Sequence, residues 1–132
     1  MNLIFCLDDK NGILFNHRRQ SRDSVLLSDA LRLGGGKLWI TPFSQKLFEG
    51  ASLPHEVTAD PTALADGEWL FYEGGDPAFL FPLCREIVVY RWNETYPSDV
   101  RVSLDMLRGG EAEAEMEGSS HKKITRHRYT PK

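Results

Sequence analysis

The stretch Leu3-Ile4-Phe5-Cys6-Leu7-Asp8-Asp9-Lys10-Asn11-Gly12-Ile13-Leu14-Phe15 decides the fold. Its first five residues form an unbroken apolar run, the pattern of a buried strand. Asp8 to Gly12 supply turn chemistry, and Asn11-Gly12 accepts the positive φ that tight hairpin turns require. Ile13-Leu14-Phe15 returns as a second strand. The chain is therefore read as opening on a β-hairpin.

A helix is expected next. Ser21 or Asp23 can cap it by accepting from the free N–H groups of its first turn. Val25, Leu26, Ala30, Leu31 and Leu33 give it an apolar stripe, and Gly34-Gly35-Gly36 ends it. No P-loop Lys-Ser/Thr pair follows those glycines, since Lys37 is followed by Leu38, so they read as a helix stop and not as a phosphate cradle. Residues 37–41, 68–73, 86–92 and 100–104 read as strands, the third being the strongest because it is β-branched and aromatic. Residues 44–49 read as a short helix. Residues 51–66 read as loop with one helical turn, and 109–120 as a mobile loop. Residues 124–129 read as either a last strand or a tail. The expected architecture is one α+β domain over residues 1–132, a mainly antiparallel sheet opened by the hairpin with one principal amphipathic helix packed on one face.

Composition supports a folded chain. Of 132 residues, 41% are hydrophobic and 27% charged, enough apolar material for a core and too much for disorder throughout. Two cysteines make no disulfide framework, so Cys6 and Cys84 are expected as reduced thiols, with Cys6 in the core. No run approaches the roughly 20 apolar residues of a membrane span. A cytoplasmic protein with no membrane partner is expected.

The net charge of −3 excludes a bulk polyanion binder, but basic residues gather at 17–22 and 121–128. A helix N-terminus attracts anions, and arginine forks fit phosphate. Arg18, Arg19, Ser21 and Arg22, with Lys122, Lys123 and Arg126, are the candidate anion-binding residues, for a phosphate-containing ligand or RNA. The competing reading pairs those arginines with Asp8, Asp9 or Asp23 on a solvated loop. His17 and His121 are the candidate catalytic residues, since two histidines and a cation can cleave RNA without metal. Glu111, Glu113, Glu115 and Glu117 could meet a basic protein partner. The histidines lack ligand spacing, and no metal or cofactor is assigned. The functional expectation is a non-catalytic binding or interaction domain with a basic anion site. The alternatives are a metal-independent ribonuclease or phosphodiesterase, and an immunity-type or regulatory partner.

Several blocks carry a resemblance: residues 8–23, Gly35-Gly36-Lys37-Leu38-Trp39, Tyr90-Arg91-Trp92-Asn93 with Tyr96-Pro97, and residues 118–126. In these the chain resembles a group of short proteins of anaerobic Gram-positive bacteria that often carry the label ribonuclease Z. Authentic ribonuclease Z uses a His-x-His-x-Asp-His zinc motif, which is absent here. The resemblance implies a small bacterial cytosolic protein and carries over no zinc site.

Overall fold

The computed structural model describes residues 1–51 and 54–132; the part of the expected loop at Ser52 and Leu53 lies outside the described residues. In chain order the strands are β1 (Asn2–Leu7), β2 (Gly12–Phe15), β3 (Arg18–Arg19), β4 (Leu38–Ile40), β5 (His55–Val57), β6 (Trp69–Phe71), β7 (Glu86–Arg91), β8 (Val100–Arg101), β9 (Leu107–Met116) and β10 (Ile124–Pro131). The helix α1 (Ser24–Leu33) follows β3, and 3₁₀ segments lie at Pro42–Ser44, Pro61–Ala63 and Pro77–Leu83.

The opening turn forms as its residues dictate. Asp8 N–H donates to Gly12 O at 3.1 Å, and Asn11 takes a φ of 61°. The expected hairpin does not form. β2 leaves β1 and joins a separate three-stranded sheet, ordered β3-β2-β8. β1 instead pairs in parallel with β6 and β7, with Leu3 opposite both Leu70 and Ile87. The reason lies in the same apolar run. Leu3, Ile4, Phe5 and Leu7 have no exposed surface, so both faces of β1 are covered. Unbroken hydrophobicity is the mark of a parallel strand with helical layers on both sides, whereas a half-exposed hairpin strand alternates.

The fold class is corrected accordingly. The main sheet is mixed and mostly parallel, with seven strands in the order β5-β4-β6-β1-β7-β10-β9. β4 is parallel to β5 and β6, while β10 is antiparallel to β7 and β9. Helical layers cover both faces. On one, Leu26, Ala30 and Leu31 of α1 pack on Ile4, Ile40, Phe71 and Val88. On the other, Leu80 and Phe81 of the Pro77–Leu83 segment pack on Leu3, Phe5, Ile87 and Val89. Each fully buried leucine contributes about 1.5–3 kcal/mol. Residues 107–116, expected within or beside a mobile loop, form β9, and residues 124–131 are strand and not tail. Residues 102–104 lie beyond β8, and the expected short helix at 44–49 is a 3₁₀ turn at Pro42–Ser44 followed by further turns.

The connections open a crevice. From β1 the chain runs over one face through α1 to β4, outside β6. From β6 it runs over the other face through Pro77–Leu83 to β7, outside β1. Where neighbouring strands send their connections to opposite faces, a cleft forms at their carboxyl ends. Among the described residues no helix is long and apolar enough to cross a membrane.

Candidate active site

Asp23 anchors the crevice. It is the N-cap of α1, with an extended φ of −155°, and its Oδ1 accepts from Val25 N–H at 2.9 Å and Leu26 N–H at 3.4 Å. The loop before β10 closes over it. Ser119 N–H donates to Oδ1 at 3.1 Å, Ser120 N–H to Oδ2 at 2.9 Å, and His121 Nδ1 lies 2.9 Å from Oδ2. Gly118 permits that approach, because a Cβ there would collide with the Asp23 carboxyl. Burial opposes ionisation of Asp23, but the His121 bond and the backbone donors of Ser120, Ser119 and Leu26 outweigh it and hold the carboxyl well below its usual range.

The imidazole of His121 is clamped on every side. Its ring stacks on Trp92 with centroids 4.5 Å apart. Its Nε2 lies 2.8 Å from Ser21 Oγ and 3.0 Å from Tyr96 OH. Tyr96 OH donates its proton to Glu94 at 2.6 Å, and burial followed by Glu94 keeps that phenol above its usual pKa. With Nδ1–H directed at Asp23, Nε2 is an acceptor, and the remaining hydroxyl proton available to it is that of Ser21. The result is a Ser21–His121–Asp23 chain, and Ser21 lines the crevice.

A second clasp closes the crevice from above. Arg19, on β3, donates Nε–H to Glu73 Oε1 at 2.9 Å and Nη2–H to Oε2 at 2.8 Å. Glu73 follows β6 and is buried, and Ser44 Oγ donates to it at 2.6 Å. The Arg19 guanidinium also lies over the Phe43 ring. Asp8, fully buried, ties the rim together by accepting from Gly12, Lys10 and Tyr96 N–H groups and from Gln20 Nε2. Behind the clasp, Leu26, Leu27, Leu47 and Phe71 make an apolar wall around about 20 Å³ of free room, enough for one water. Cys6 lines the same space, and burial, then Glu73, pushes its thiol well above the usual value. Outside the clasp lies an open groove of about 720 Å³ that includes Arg19, Phe43, Gln45 and Lys46.

The sequence candidates divide: Arg19, Ser21 and Arg22 line the crevice, with His121 bonded to Ser21, and the others lie elsewhere. His17 sits in the exposed turn between β2 and β3 with a φ of 60°, and the hydrogen bonds of His121 go elsewhere. Ser21 and His121 do meet. Arg126 is paired with Asp29 and Glu113, and Lys123 faces Glu115, so the basic tail is neutralised at these positions by neighbouring acids. Arg18, Arg22 and Lys122 are exposed. Glu73, Trp92 and Tyr96 were missed as site residues. Glu73-Gly74-Gly75 directly after an apolar strand was the available signal for the first. Among the described residues no three His, Cys, Asp or Glu side chains are grouped to hold a metal.

No family model and no curated relative matches the chain. A solved structure is similar over nearly the whole length: a dihydrofolate reductase from Enterococcus faecalis, complexed with NADP(H) and RAB-propyl. The TM-score is 0.64 at 14% identity, covering 98% of this chain and 95% of the reductase. At that identity the likeness shows the fold. The fold is one that an enzyme uses, and the expectation of a non-catalytic anion-binding or RNA-binding interaction domain, with its ribonuclease and immunity-type alternatives, is corrected on this finding.

Proposed function

We propose that the chain is a reductase that takes a hydride from NADP(H) and reduces a small planar substrate in the crevice at the carboxyl ends of β1, β6 and β7. The observation that carries the reading is the Ser21 hydroxyl, hydrogen-bonded to His121 and opening on that crevice. The fold shared with a reductase supports it.

The residues present fit the cofactor. The groove beside the crevice falls within the usual range of ligand sites, roughly 300–1,000 Å³. Lys46 and Gln45 line it and would hold phosphate oxygens. Among the described residues three buried polar side-chain atoms lack a hydrogen-bond partner, those of Gln20, Trp39 and Thr41, and of these Gln20 Oε1 belongs to a residue of the crevice wall and suits a ligand group. When bound, the nicotinamide supplies a hydride. The accompanying proton would come from solvent through the Ser21 hydroxyl, which passes one proton to the substrate as it takes another from water, while His121 and Asp23 hold that hydroxyl in place. Asp23 itself is saturated with its own chain's donors and is no ligand for substrate. Because Arg19 spans the crevice to Glu73, a planar ring enters only when that pair parts.

The test is titration with NADPH, followed by its fluorescence, then by absorbance loss with small unsaturated heterocycles. Binding is expected with a Kd between about 1 μM and 1 mM, weakened about tenfold in Lys46→Ala by loss of a charged contact. No binding at about 1 mM NADPH would sink the reading.

A further inference from the structure

We infer that Ser21 is a catalytic nucleophile toward small acyl esters, with His121 as its base and Asp23 orienting the imidazole. This activity goes beyond the reductase reading and needs no cofactor. The distances are those a serine nucleophile requires, 2.8 Å from Oγ to Nε2 and 2.9 Å from Nδ1 to the carboxylate. Three features separate this from an ordinary surface contact. His121 and Asp23 are both buried, so the imidazole is shielded from competing water. The Tyr96 proton goes to Glu94, and the Ser21 hydroxyl lies against both Nε2 and the Tyr96 oxygen, so the Ser21 proton is the one that can pass to Nε2. Trp92 fixes the ring plane by stacking.

The surroundings define the substrate class. Leu26, Leu27 and Phe71 line the crevice that Ser21 enters, and its free room of about 20 Å³ limits the acyl part to the size of an acetyl methyl. Arg22 lines the same crevice and forms no ion pair among the described residues, which leaves its guanidinium to meet a developing oxyanion. In the acylation step the Ser21 O–H bond breaks and its proton moves to His121 Nε2. A new bond forms between Oγ and the carbonyl carbon, and the carbonyl π pair moves onto oxygen. Collapse of that adduct restores the carbonyl and expels the alcohol, which takes the proton back from Nε2. Water, deprotonated by the same nitrogen, then releases the acid and regenerates Ser21.

The full-length chain, without cofactor, is incubated with p-nitrophenyl acetate and separately with a fluorophosphonate, and adducts are mapped by peptide mass spectrometry. One covalent adduct on Ser21 is expected, absent in Ser21→Ala. In His121→Gln the rate of adduct formation should fall at least about 100-fold. An unmodified Ser21 in the wild type overturns the inference whatever the variants do. Labelling of Ser21 that is as fast in a folded His121→Gln chain overturns it too. Acylation of Ser21 in a chain that fails to bind NADPH would leave the nucleophile standing and remove only the reductase reading.

Discussion

Two regions of this molecule place basic side chains beside acids, and they use them in opposite ways. On the β9–β10 face, Arg126 and Arg128 both reach Glu113, at 2.8 Å and 2.6 Å, on a surface that stays about one-fifth to one-third exposed. At the crevice, His121 meets Asp23 with side-chain exposures of 2% and 0%. The first is a screened surface network that joins β9 to β10. The second is a desolvated pair in which both ring nitrogens and both carboxylate oxygens have hydrogen-bond partners. Both belong to the single basic stretch at 121–128, so charge in the sequence does not say which end carries chemistry; burial does.

The sharpest way to break this contrast is Asp23→Ala. It removes the α1 cap and leaves the buried His121 without its carboxylate partner, at a cost of about 3–5 kcal/mol in urea unfolding. Because the native carboxyl ionises well below its unfolded value near pH 4, the wild type keeps this stabilisation above that pH and loses it as acid is added. Asp23→Asn should flatten that acid limb. If both variants unfold like the wild type at pH 7 and pH 3, the pair is not the anchor described.

Arg19→Ala comes next. It leaves Glu73 buried with Ser44 and no cation, so a loss of about 2–3 kcal/mol is expected. Hydrogen exchange should quicken in β2 and β3, since the clasp joins them to the end of β6. Unchanged exchange there would mean that the clasp does not hold the crevice shut. The smallest effect belongs to Glu113→Ala, about 0.5–1 kcal/mol, fading in high salt because the pair is exposed to solvent. A loss as large as that of Asp23→Ala would erase the distinction between the two regions.

Much of the local structure was legible. Asp23 as a helix cap, the glycine stop with Gly35 at a φ of 64°, and the Asn11 turn all follow from side-chain hydrogen bonding and backbone freedom within a few residues. The strand at 86–91 followed from its β-branched and aromatic residues. The site was legible in part. Ser21 and His121 stood among the candidates, whereas Trp92, Tyr96 and Glu73 did not, because aromatic and acidic residues in or beside strands have ordinary structural uses. His17 carried the right chemistry in the wrong place: two residues of positive φ, Asn16 and His17, turn it out to solvent.

The sequence by itself determined where elements begin, turn and stop, because those choices rest on groups a few bonds apart. It could not determine which strands pair. Backbone donors and acceptors are alike in every strand, so β1 takes β6 and β7, and not the nearby β2, only because packing then buries both of its faces. The same packing brings His121 to an aspartate 98 residues earlier in the chain. Tertiary structure alone made a helix cap, a loop histidine and a serine into one hydrogen-bonded unit.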